Sequence, residues 1–162
     1  MSRRSMTPAP PPPPRIVTGL TLMRHSAQLM VDELVARLHA AGYTDITASH
    51  QAVFENIDRD GTRLTTLAQR SRMTHQAMGE LVLALEHAGY LERHPDPEDR
   101  RARIIRLTSR GQAVLRQALH EIGEIEAAWR AQLRAAGHDI DLKTLVEPAL
   151  HALSARDHPV RL

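Results

Sequence analysis

The chain has 162 residues, 42% hydrophobic and 25% charged, a balance that fits one soluble globular domain with extensions and excludes wholesale disorder. Cysteine is absent, which removes disulfides, zinc–thiolate centres, thiol nucleophiles and thiol redox sensing together. The formal charge is only +2, yet five arginines fall within Arg100–Arg110 with no acid among them, so one polyanion-facing surface is expected on a mildly charged molecule.

Aromatic residues make up 2% of the chain, namely Tyr43, Phe54, Tyr90 and Trp129. A core so poor in rings has to be filled by Leu, Ala, Val and Ile, which suits helix-on-helix packing better than a β-sandwich. The N-terminus carries Arg3 and Arg4 but no apolar stretch before its prolines. It is therefore not expected to be a secretory signal, and no run is apolar enough for a membrane span, so the expected location is cytoplasmic and no membrane partner is expected.

Residues 1–19 form a Pro-rich arm, with Pro8 and the run Pro10–Pro14, and are expected to be disordered or in polyproline II. From Leu20 to Ala41 the residues Leu22, Leu29, Met30, Leu34, Val35 and Leu38 recur at helical spacing, and Gly42 supplies a stop. Thr47 is placed to cap a second helix carrying Val53, Phe54 and Ile57, ending before Asp60-Gly61. A short third helix is predicted over Thr65–Ser71. A fourth, capped by Thr74, is predicted over His75–Ala88, with Ala77, Met78, Leu81, Val82 and Leu85 as its apolar stripe. The period then changes. Tyr90–His94 and Arg103–Leu107 alternate like strands around the turn-rich Pro95-Asp96-Pro97-Glu98-Asp99, which predicts a hairpin with a basic tip. A helix of roughly 28 residues begins at Thr108 or Ser109 and runs to about Ala136, and Asp141 caps a last helix to about Ala155.

Helix–turn–helix followed by a hairpin, within residues 47–107, is the order of a winged helix-turn-helix. A major groove about 12 Å wide admits one helix, whose N-terminal residues reach base edges. Thr74, His75, Gln76, Gly79 and Glu80 occupy that position on the fourth helix. Gln76 suits a bidentate pair with adenine, and Gly79 permits close approach to DNA. On the hairpin, Asp99, Arg101 and Arg103 share one side of extended backbone. A carboxylate between guanidinium groups can brace one of them, and a braced arginine suits the narrow, negative minor groove. Arg100 and Arg106 are placed for phosphates. Beyond the wing, Leu115, Leu119, Ile122, Ile125, Trp129 and Leu133, with Leu142, Leu145, Val146, Leu150 and Leu153, exceed what a domain of about 60 residues can cover, so a second copy is expected to cover them.

The segments Leu67–Arg70, Thr74–Val82, Leu85–Arg93 and Pro95–Gly111, with an Asp-x-Arg wing followed by a Leu-Thr-x-x-Gly helix start, resemble the MarR family of bacterial winged-helix transcription regulators. The resemblance covers about Leu20 to Ala155. It implies a mainly α fold with a small β-hairpin wing: an N-terminal dimerisation helix at 20–46, a winged helix-turn-helix DNA-binding domain at 47–108, and C-terminal dimerisation helices at 109–162. It also implies an obligate homodimer on a pseudo-palindromic operator, a recognition helix at His75–Ala88, and Arg101 in the minor groove. Many such regulators are repressors that release DNA when a small aromatic or anionic effector binds between the lobes. His25, Tyr43, His50, Phe54 and Trp129 are candidates for that pocket.

No Gly-rich phosphate loop, nucleophile elbow or His-Glu-x-x-His segment is present, so no enzyme activity and no cofactor are expected. Two alternatives stay open. The ten histidines admit a zinc-sensing regulator, although they lack tight ligand spacing, with His120 and Glu124 the best helical pair. A winged-helix protein-interaction module is the other, and the Arg-rich wing opposes it.

Overall fold

A computed structural model describes residues 18–97, 99 and 102–154. Helix α1, Gly19–Ala40, starts where the Thr18 hydroxyl accepts from the Thr21 amide, and stops where Gly42 turns left-handed. A 3₁₀ turn at Ala48–His50 leads into α2, Gln51–Phe54. The second helix is thus shorter than its apolar spacing predicts. The Asn56 amide returns to the Val53 carbonyl and its side chain donates to the Ala52 carbonyl, local bonds that compete with a further helical turn.

Strand β1, Thr62–Arg63, precedes α3, Leu64–Arg70, and α4, His75–His87. Strands β2, Leu91–Pro95, and β3, Arg103–Leu107, form the hairpin, and the antiparallel sheet runs β1-β3-β2. The third strand was not predicted from sequence. It is only two residues long, paired as Thr62 with Ile105 and Arg63 with Ile104, and nothing in two residues alternates. Helix α5, Ser109–Ala135, and α6, Leu142–Ser154, complete the described chain. None of its helices is long and apolar enough to cross a membrane.

The core sits in the middle lobe. Val53, Leu67, Met78, Val82, Leu85, Tyr90, Ile105 and Val114 are fully buried, drawn from α2, α3, α4, the sheet and the start of α5. Phe54 meets the Tyr90 ring edge-on and Tyr43 meets it tilted, both with centroids 6.4 Å apart, so three of the four rings gather in one place. The Tyr90 hydroxyl donates to Asp45, and the Arg110 guanidinium lies 4.5 Å over the ring while donating to Asp45 and to that hydroxyl at 3.1 and 3.0 Å. This cluster ties the loop after α1 to the start of α5.

The long helices are less covered. Helix α1 lies against α5 through its C-terminal half, where Arg37 donates to Glu121 at 3.3 Å. Its N-terminal half is bare: Leu22 is 56% exposed and Leu29 63%, although both belong to the apolar repeat that announces the helix. On α5, Ile125 is buried, whereas Leu119 is 61% exposed. Leu115, Ile122, Trp129 and Leu133 are half-buried. Leu145 and Leu150 of α6 are exposed, Leu142 and Val146 half-buried, and the Leu153 side chain lies outside the described residues.

Candidate nucleic-acid interface

Helices α3 and α4 make the helix–turn–helix, and the start of α4 is fixed by its own sequence. The Thr74 hydroxyl accepts from the Ala77 amide at 3.2 Å, satisfying one of the donors that open a helix. Met78, Val82 and Leu85 point inward and are buried. The opposite face therefore presents His75, Gln76 and Glu80, all exposed. Gln76 donates to Glu80 at 3.3 Å, one turn apart. Thr74 is exposed too, but its oxygen already serves the cap. Gly79 is half-buried, and a Cβ there would touch only Leu64, at 3.8 Å. It thus lies toward α3, and that seam has room for a methyl group.

The wing follows α4 directly. Strands β2 and β3 pair from Leu91 with Leu107 to Pro95 with Arg103, and a turn beyond them is closed by the Ala102 amide donating to the Asp99 carbonyl at 2.9 Å. Asp99 and Arg103 are exposed. Arg100 and Arg101, the predicted phosphate and minor-groove residues, lie outside the described residues. Arg106 is half-buried and donates from Nε to the Asp60 carbonyl at 2.9 Å. Its side chain crosses Gly61, where a Cβ would sit 2.7 Å from Arg106 Cγ and 3.0 Å from the Ile105 carbonyl. Only glycine, at φ +97°, lets β1 come this close to β3.

Sequence reasoning missed a second carboxylate at the wing. Asp96 is 5% exposed and accepts from Arg63 Nε at 2.6 Å, while its amide donates to the Ala102 carbonyl at 3.1 Å. A charged pair thus holds the base of the wing to β1. The signal was a carboxylate framed by Pro95 and Pro97, but its partner lies 33 residues away on the strand that was not foreseen.

A separate feature opens between α1, the 3₁₀ turn with α2, and α5. It is an apolar cavity of about 310 Å³, walled by residues including Leu34, Leu38, Ile46, Phe54, Val114 and Ile122. Of the five predicted pocket residues, only Phe54 reaches it. Tyr43 stacks on Tyr90 instead, and His50 is buried with Nδ1 accepting from the Thr47 amide at 3.2 Å. His25 is exposed on the bare half of α1 beside Arg24, and Trp129 is on the distal half of α5. Burial lowers the His50 pKa, with the Asp45 charge opposing. Asp45 is itself held below the usual carboxylate range: burial acts to raise it, but the Tyr90 hydrogen bond and the Arg110 charge prevail. Among the described residues no three His, Asp or Glu side chains gather as a metal site; His120 and Glu124 have no third partner there.

Residues 44–102 match the sequence model of the MarR family. The chain is 30% identical over 76 residues to the transcriptional regulator HosA of Escherichia coli O111:H-, a match covering 46% of this chain and 56% of that protein. It thus spans little more than half the length of this curated relative. CouR from Rhodococcus jostii RHA1, solved with p-coumaroyl-CoA, superposes with a TM-score of 0.66 at 18% identity, over 88% of this chain and 93% of that one. The S. aureus MepR–DNA complex gives 0.65 at 20% identity, over 86% and 99%. At such identities the likeness establishes the fold, a winged helix with long flanking helices.

Proposed function

We propose, from the match of residues 44–102 to the MarR family model, that the whole chain is a sequence-specific DNA-binding transcriptional regulator. It acts as a homodimer on a pseudo-palindromic operator and represses until a small effector binds. The observation that carries this reading is α4 itself: a capped helix, buried on one face, that presents His75, Gln76 and Glu80 on the other beside an arginine-bearing hairpin. Gln76 reads a base edge, and Thr74, His75 and Glu80 line the approach, while Gly79 sits at the seam with α3. Arg101, braced by Asp99, enters the minor groove with Arg103 beside it, and Arg100 and Arg106 bind phosphates. The solved DNA complex of the S. aureus relative supports the DNA reading by analogy of fold.

The division into an arm at 1–19, a dimerisation helix at 20–46, a DNA-binding domain at 47–108 and C-terminal dimerisation helices at 109–162 belongs to the same proposal. Two copies joined through α1, α5 and α6 set their recognition helices about 34 Å apart, one turn of B-DNA. The apolar cavity lies where the helical lobe meets the winged lobe, so an occupant there changes that spacing. Selection of bound fragments from genomic DNA tests the reading: a recurrent two-fold-related sequence is expected, and recovery of random fragments alone overturns it. On the selected duplex, Gln76→Ala costs about 1–3 kcal/mol at one position per half-site, whereas equal weakening on random DNA removes Gln76 from base readout.

A further inference from the structure

The effector cavity is apolar almost throughout, and its few polar groups are specific in kind. Thr47, Gln51 and Glu55 are the polar members of its lining, and no lysine, arginine or histidine among the described residues contributes to it. Gln51, Phe54 and Glu55 follow one another at i, i+3 and i+4, so α2 and its C-cap residue turn an amide, a ring and a carboxylate toward the same space. The Gln51 amide donates to one Glu55 carboxylate oxygen at 2.5 Å, which orients the carboxylate and keeps its other oxygen for a ligand. Glu55 is exposed while Leu38, Ile46 and Val114 are buried, so the charge stands at the mouth and the hydrocarbon lies behind it. The nearest arginine on α1, Arg37, is engaged by Glu33 and Glu121 and does not line the cavity.

We infer that this cavity selects a small lipophilic cation, an amine or ammonium on an aromatic or aliphatic body, and rejects carboxylates. This deepens the effector part of the function proposed above and rests on it. A carboxylate entering here meets no counter-charge and stands beside Glu55, so it loses hydration without compensation. A cation keeps its head at the mouth against Glu55, over a wall that includes the Phe54 ring, and buries its body. A volume of about 310 Å³ is at the small end of ligand pockets, which limits the body to about one ring and a short chain. Of the small aromatic or anionic effector expected from sequence, the aromatic body is kept and the anionic head is replaced with a cationic one.

The test uses three probes with one body and three heads: 4-phenylbutylamine, 4-phenylbutanol and 4-phenylbutanoate, titrated calorimetrically into the full-length chain at neutral pH. The amine binds at least tenfold more tightly than the alcohol, and the carboxylate most weakly. Glu55→Gln brings the amine within about twofold of the alcohol without weakening the alcohol, because only the charge is removed. Ala118→Leu, which fills the cavity from α5, weakens the amine and the alcohol alike. The proposal is overturned if the carboxylate binds as well as the amine, or if Glu55→Gln leaves the amine preference intact. It is equally overturned if Ala118→Leu changes nothing, or if none of the probes binds because a second copy of the chain fills the cavity. DNA binding is measured separately, so amine selectivity without operator binding removes the regulator reading and leaves the site.

Discussion

At Gly111 a single atom is specified. A Cβ there would lie 2.1 Å from the Tyr90 carbonyl oxygen, because the first turn of α5 is pressed onto the link between α4 and β2. The neighbouring Thr108 explains the rest of the Leu-Thr-x-x-Gly motif. Its hydroxyl caps the Gly111 amide at 3.1 Å and donates to the Gly89 carbonyl at 2.7 Å. Gly111→Ala forces backbone apart and should cost about 2–3 kcal/mol, lowering the melting temperature by roughly 5–10 °C; an unchanged melt would contradict the close approach. His50 supplies a pH test. Its pKa is lowered by burial, and Nδ1 must be unprotonated to accept from Thr47. Stability is therefore insensitive to His50 above the ordinary histidine range. It falls as pH drops below that range, because the unfolded chain takes the proton first. Urea titrations at pH 7.5 and 5.5 should show the loss, limited to about 1.4 kcal/mol per pH unit for one proton, and His50→Gln should reduce the slope. Asp45, whose pKa is lowered, loses its contribution only at much lower pH and does not confuse that window. Arg110, which looks like a spare cation at a helix start, is instead bound to Asp45 and Tyr90. Arg110→Ala would therefore disturb the joint between the lobes.

At the scale of elements, caps made the helix starts legible. Thr74, Thr108 and Asp141 each accept a bond from an amide of the following first turn, as their place before an apolar repeat announces. Thr18 does the same at α1 without being singled out in sequence, whereas Thr47, expected to cap the second helix, makes no side-chain cap bond. Thr74 also stands among the residues proposed to face DNA, and its two roles are separable. Thr74→Ala should cost about 1 kcal/mol of stability, while Thr74→Ser, which keeps the hydroxyl, should cost no more than a few tenths. If thermal melts place both variants together, the cap is not contributing. Strand β1 and the end of α2 were not legible, because both are decided by partners distant in sequence. Thr62 and Arg63 are extended because Ile105 and Ile104 lie opposite. The turn before them is held by Thr62 and Arg70 meeting Asp58 at 3.1 and 2.9 Å. The same holds for the wing base, where Asp96 found Arg63.

For the whole molecule the bare apolar surface decides the assembly. Leu22, Met23 and Leu29 of α1, Leu119 of α5, and Leu145 and Leu150 of α6 are all exposed in one copy, and large apolar side chains left in water on long helices favour a partner that covers them. A homodimer should therefore appear at twice 18.1 kDa in light scattering at micromolar concentration, with a melting temperature that rises with concentration. The double variant Leu29→Asp/Leu119→Asp places charge in that contact. It should give monomers that bind a half-site weakly; wild-type chains that scatter as monomers would remove the dimer from the proposal.

Local rules by themselves determined the helix starts, the period change at Tyr90, the hairpin and the outward face of α4, since each depends on residues within a turn or two of one another. They also carried the MarR resemblance, whose Leu-Thr-x-x-Gly and Asp-x-Arg spacings are read within a few residues. The tertiary structure alone decided which side chains meet across the chain: Asp96 with Arg63, Arg110 with Tyr90 and Asp45, and Phe54 in a cavity that Tyr43, His50, His25 and Trp129 do not reach. The reason is physical. Capping and periodicity are short-range and survive in any context, whereas burial, ion pairing and the charge lining a cavity depend on elements that become neighbours only once the core has formed.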